Sequence, residues 1–93
     1  MSITIGTTTF DRVDYDVKAD VLYLHAGNPE HGVDFDESPE GHGLRYDVDE
    51  KLVGITLVNA KALIDQATPI TITIPERVMI DREVLALIIQ SAA

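Results

Sequence analysis

Cysteine is absent from this 93-residue chain. The fold therefore has no disulfide, no thiolate metal site and no cysteine nucleophile, which suits a reducing, cytoplasmic setting. No stretch approaches the roughly 18 consecutive apolar residues of a membrane span. The first nine residues, Met-Ser-Ile-Thr-Ile-Gly-Thr-Thr-Thr, lack the charged start and apolar run of a signal peptide. Basic residues are few: residues 1–50 carry twelve Asp/Glu against three Lys/Arg, whereas residues 51–93 carry four of each. The whole net charge of −9 thus lies in the first half. Such a surface repels nucleic-acid phosphates and anionic lipid, and it attracts cations or a basic protein partner. The plainer reading of the same charge is that it keeps a small domain soluble.

What remains is enough for a core. Hydrophobic residues make up 45% of the chain, and a chain of this length forms one domain, residues 1–93. Strands come first. Residues 1–9 form a short edge strand or a loose arm. Phe10 to Val17 alternates Val13, Tyr15 and Val17 against Arg12, Asp14 and Asp16, a strand with one wet face. Asp16 to Asp20 turns the chain, with Asp16 placed to bond backbone N–H groups two residues on. Val21 to Ala26 is apolar on both faces and reads as a central or covered strand. Val33 to Ser38 is a half-exposed strand, and Leu44 to Val48 alternates into the hairpin turn Asp49-Glu50-Lys51. Leu52 to Val58 follows, with Gly54 inside it marking a bulge or a close backbone approach.

Helices come late. Asn59 is a good N-cap for Ala60, Leu63, Ile64 and Ala67, the spacing of one helical face over about residues 60–67. Ile70 to Ile74 is a strand with three inward isoleucines, flanked by Pro69 and Pro75 as gatekeepers. Asp81 caps a C-terminal helix over about residues 82–90, with Glu83 in its first turn. That helix is apolar nearly all round, so it docks on the sheet and leaves an apolar flank for a homodimer. The expected architecture is α+β: a mainly antiparallel sheet of hairpins with one short and one C-terminal helix.

The string Tyr15-Asp16-x-x-Ala19-Asp20-x-Leu22-Tyr23-Leu24, then Leu44-x-Tyr46-Asp47, Val53-Gly54-Ile55 and Asn59-Ala60, carries a resemblance. Over about residues 10–65 the chain resembles the bacterial family called domain of unknown function 2283. That resemblance implies no activity and carries over no catalytic residue. It implies a small bacterial protein, of a kind sometimes encoded beside toxin-like partners, with residues 67–93 as a C-terminal extension. The Asp49-Glu50-Lys51 turn departs from the glycine that members usually hold there.

Tyr-Asp-Val also occurs twice, at 15–17 and 46–48. Aligned at that offset, Val21 to Leu24 corresponds to Leu52 to Ile55, which suggests two similar hairpins packed side by side. Tyr15, Asp16, Asp20, Tyr23, Tyr46, Asp47 and Gly54 are accordingly assigned a structural role, a Tyr–Asp network that fixes two turns. The tests for chemistry fail in turn. Asp34-Phe35-Asp36 opens like a calcium loop, but Ser38, Pro39 and Arg45 stand where its later positions need other residues. His25, His31 and His42 match no zinc spacing. Ser38 has no nucleophile elbow, and Gly41-His42-Gly43 is too short for a phosphate loop. No enzyme, no cofactor and no metal is expected. The favoured function is a non-enzymatic acidic interaction module, antitoxin-like or regulatory. The alternative is small-ligand or metal binding by the loops around His31, Asp34, Asp36 and His42.

Overall fold

A computed structural model describes residues 2–28, 30, 32–66, 69–74 and 77–92. Gly6, at a φ of 63°, and Thr7 reverse the chain between β1 (Ile3–Ile5) and β2 (Thr8–Phe10). The N-terminal residues thus form a hairpin of their own instead of an edge strand or an arm. The expected strand from Phe10 to Val17 breaks at Asp11, whose carboxylate accepts the Gly27 N–H at 3.0 Å. Beyond the break run β3 (Arg12–Asp16), β4 (Val21–His25), β5 (Asp34–Glu37), β6 (Gly43–Tyr46) and β7 (Leu52–Val58). Then follow α1 (Ala60–Asp65), β8 (Ile70–Thr73), β9 (Arg77–Ile80) and α2 (Arg82–Ala92).

The architecture is α+β and antiparallel. Five strands make one sheet in the order β3-β4-β7-β6-β5, and β1-β2 and β8-β9 form separate two-stranded sheets. One face of the five-stranded sheet holds the core. Leu22, Leu24, Leu44, Ile55 and Leu57 point there and cluster with Ile3, Ile5, Phe10, Ile70, Ile72, Leu85, Ile88 and Ile89. Burial of each such side chain is worth roughly 1.5–3 kcal/mol.

The two hairpins inferred from the repeated Tyr-Asp-Val lie side by side through β4 and β7. The offset that carries Tyr15 onto Tyr46 carries the pair Val13↔Leu24 onto Leu44↔Ile55, and both pairs are observed. Leu24 and Ile55 face each other at the join. The match ends at a register shift between Arg45 and Tyr46, where Tyr46 pairs with Leu52. The cause lies in the turns. Asp20 is left-handed in the first (φ 55°) and Glu50 in the second (φ 63°), one position earlier in the repeat. A glycine-like conformation is therefore met by Glu50, and Lys51 bears no positive φ.

Several boundaries differ from the sequence reading. β5 has every residue exposed instead of one covered face, because it is the outermost strand. Val48 lies in the turn, 81% exposed. α1 stops at Asp65, with Gln66 already extended. Ile70 and Ile72 are buried and Ile74 is partly so, while Ala67 and Pro75 fall outside the described residues. The C-terminal helix turns Leu85, Ile88 and Ile89 inward and leaves Leu87 63% exposed, so its uncovered flank is narrow. No helix is long and apolar enough to cross a membrane among the described residues.

Leu85 and Val48 should therefore separate cleanly in urea unfolding. Leu85→Ala is expected to cost about 2–5 kcal/mol by emptying a fully buried position. Val48→Ser should stay within about 0.5 kcal/mol, as surface changes do.

Candidate functional site

Tyr15 to Leu24 is a joint of the fold. Asp16 Oδ1 accepts the N–H groups of Lys18 (3.0 Å) and Ala19 (3.1 Å), which closes the first hairpin turn. Asp20 then reaches outside the hairpin. Its Oδ1 accepts the Tyr15 hydroxyl at 2.6 Å and the Lys61 N–H at 2.9 Å, and its carbonyl accepts the Ala60 N–H at 3.1 Å. The cap of α1 thus comes from a distant turn. Asn59, expected to do this work, makes no side-chain cap bond and instead supplies a left-handed residue at φ 55°. Asparagine tolerates that conformation better than most residues. The bond to Asp20, ahead of desolvation, raises the Tyr15 phenol above its ordinary pKa.

The second hairpin repeats only half of this. Asp47 Oδ1 accepts the N–H groups of Asp49 and Lys51, both at 2.9 Å, as Asp16 does in the first. Lys51 stands at the repeat position of Asp20, so Tyr46 has no matching acceptor there. Burial, with a smaller push from the Asp36 carboxylate, raises the Tyr46 phenol instead. The Tyr–Asp network therefore joins one turn to α1 and does not join the other. Tyr23 lies apart from it, 46% exposed on the opposite face of the sheet.

The loop residues proposed for binding disperse. His31 lies outside the described residues. His42 was expected in an exposed loop, yet it is buried, 3% accessible, with Nδ1 accepting the Val58 N–H at 3.2 Å. Such a ring is neutral, and burial holds its pKa below the ordinary value. Buried Ser38 ties the same loop: its Oγ accepts the His42 N–H at 3.1 Å, and its own N–H bonds the His42 carbonyl at 2.8 Å. Glu40 accepts both the N–H and the hydroxyl of Thr73 at 2.9 Å. Those bonds, the backbone one first, depress the Glu40 pKa. Residues 38–43 are thus a clasp between the large sheet and the β8-β9 hairpin. Asp34 and Asp36 stay exposed on β5, on the side of Tyr46 and Leu44, their cross-strand partners. No three His, Asp or Glu side chains converge to hold a metal among the described residues.

Among the described residues, the acidic edge strand β5 and the face of the five-stranded sheet that looks away from the core are two of the surfaces exposed to a partner. A family model for a protein of unknown function, DUF2283, matches residues 12–61, just over half of the chain. The chain belongs to the DUF2283 family. The DUF2283 region is the five-stranded sheet and the start of α1, so β1-β2, β8-β9 and α2 are what this chain adds around it. Searches of curated proteins and of solved structures found no match.

Removing the Asp20 carboxylate should loosen this DUF2283 core. Asp20→Ala is expected to cost about 1–2 kcal/mol, the loss of a helix cap, in urea unfolding. Asp20→Asn should cost less, since an amide oxygen still accepts both bonds.

The clasp sets an acid response. Between the lowered pKa of folded His42 and its ordinary 6.5, the unfolded chain binds a proton that the folded chain refuses. Stability therefore falls as pH drops below 6.5. Glu40, depressed from 4.5, extends the loss in the same direction at lower pH. In thermal melts across this range, His42→Gln should flatten the first decline and keep the second.

Proposed function

We propose that this protein is a non-enzymatic interaction module that docks a basic protein partner along β5, in the manner of an antitoxin or a regulatory subunit. The observation that carries this reading is the makeup of that edge. Asp34, Asp36 and Glu37 are all exposed, with Phe35 71% exposed among them. Among the described residues β5 pairs with β6 on one side only, so its outer edge can accept an added strand once the Glu37 N–H leaves Asp36 Oδ1, which accepts it at 2.8 Å. Acidic side chains on an edge also discourage self-pairing, which favours a cationic segment over a second copy at this strand. The charge of −9 steers such a partner in and weakens its hold as salt rises.

The metal or small-ligand alternative receives less support, because His42 is occupied inside the clasp and Asp34 and Asp36 stand away from it. In this reading the protein works in the bacterial cytoplasm, and two copies associate through the narrow apolar flank of α2, where Leu87 is 63% exposed.

Co-expression with the products of neighbouring genes tests the docking. A small basic protein should co-purify at low salt and be released at high salt. Combined Asp34→Lys, Asp36→Lys and Glu37→Lys should abolish capture without moving the melting temperature, since all three side chains are exposed. A complex indifferent to salt, or one that survives the triple reversal, would sink the proposal, as would the lack of any basic partner.

A further inference from the structure

We infer that the outer face of the five-stranded sheet carries a binding site for a small oxyanion, a carboxylate or phosphate group, beside Gly54. The site is built by an absence of side chain. Gly54 lies on the central strand β7, paired with His25 of β4 on one side and with Arg45 of β6 on the other. A Cβ at Gly54 would stand 3.2 Å from His25 Nδ1, 3.2 Å from Arg45 Cβ and 3.3 Å from Arg45 Cδ. Both neighbours therefore lean over the glycine from opposite sides. The Arg45 guanidinium lies 4.7 Å above the centre of the Phe35 ring, which holds the side chain in place from the edge of the sheet.

This arrangement leaves polar groups unanswered. Arg45 Nε and His25 Nε2 are buried and have no hydrogen-bond partner. Most buried polar atoms in a folded protein are paired, and leaving one unpaired is unfavourable. An arginine Nε–H can only donate, so what it lacks is an acceptor. Beside these atoms is a depression of about 220 Å³, lined by Arg12, Asp14, Tyr23, His25, Arg45 and Thr56. Pockets for drug-sized ligands begin near 300 Å³, so this one suits a single compact group.

Charge selects its sign. Two guanidiniums, Arg12 and Arg45, border the depression against one acid of its lining, Asp14, and the Asp11 carboxylate beside Arg12 offsets part of that positive charge. The rest of the chain carries more than the full −9. A polyanion would be repelled by that surround, whereas a small anion gains from two guanidiniums and from the hydroxyls of Tyr23 and Thr56. The exposed Arg12 guanidinium makes first contact. Arg45, held over the glycine by Phe35, then offers the Nε–H that lacks an acceptor, with His25 beside it.

This site uses other residues than the β5 docking edge and prefers the opposite charge, so either can fail without the other. Titration of the labelled protein with inorganic phosphate and, separately, with acetate, followed by nitrogen–proton NMR, reads it directly. Saturable shifts confined to the Arg45 Nε–H, His25, Gly54 and Thr56 signals are expected with at least one anion. The anion that saturates at lower concentration names the preferred class. Arg12→Gln should weaken binding by about tenfold, the loss of one charge-assisted contact, with no change in melting temperature. Arg45→Gln should abolish it, and the triple reversal on β5 should leave it intact. Shifts that rise linearly without saturating, or that are equal in Arg12→Gln, overturn the inference. So do shifts of these signals that depend on protein concentration with no anion added, which would place a second copy of the chain on this face.

Discussion

One carboxylate oxygen holds the two halves of this molecule in register. Asp20 Oδ1 receives the Tyr15 hydroxyl from its own hairpin and the Lys61 N–H from the start of α1. The residue is left-handed, and that conformation turns its carbonyl toward the Ala60 N–H as well. A six-residue helix is too short to persist without help, since isolated helices below about 12 residues are marginal in water. α1 is therefore stable only where the first hairpin presents Asp20. Its placement in turn brings Leu63 and Ile64 against the core. The placement of this helix on the sheet therefore depends on one polar contact made at the right spot.

The same contact explains why the repeat is imperfect. Two Tyr-Asp-Val segments pair with the strands that follow them and join through Leu24 and Ile55, which makes an approximate two-fold relation between hairpins. The symmetry holds as far as the backbone ladder needs it. It breaks where Lys51 replaces Asp20, because only one of the two turns has a helix to cap. A tighter second turn moves the left-handed residue to Glu50, and the ladder absorbs the difference as the register shift at Arg45 and Tyr46.

Period-two alternation made the strands legible, and the buried faces follow it wherever a strand has neighbours on both sides. It misled at the ends. Val33 to Ser38 and Leu44 to Val48 alternate well, yet Phe35 and Val48 are exposed, because alternation shows which residues share a face and cannot show whether anything covers that face. Helix boundaries fared similarly: Asn59 was recognisable as special, but its value is a left-handed φ, and its cap comes from a residue far along the chain. The clasp at 38–43 was hidden for the same reason. Histidine, serine and glutamate between glycines look like an open polar loop until Thr73 and Val58 arrive to bond them. Long-range partners decide the roles of polar residues, and a single sequence does not display them.

The motif that marks the family divides by face. Tyr15, Leu22, Leu24, Leu44, Tyr46, Val53 and Ile55 look toward the core, and Asp16, Asp20, Asp47 and Asn59 are spent on turns and on the α1 junction. Those residues account for the fold. Gly54 is an exception beside Tyr23, since it points away from the core on the strand with the most buried residues. A glycine there brings no side chain to pack and weakens a strand interior. Its effect is to let His25 and Arg45 close over one spot of an otherwise open face. Turn chemistry and core packing explain most other fixed points of the motif, and exposed Tyr23 shares the outer face with this one. The glycine is thus set by its two cross-strand neighbours on the outer face, since any side chain there would displace His25 or Arg45.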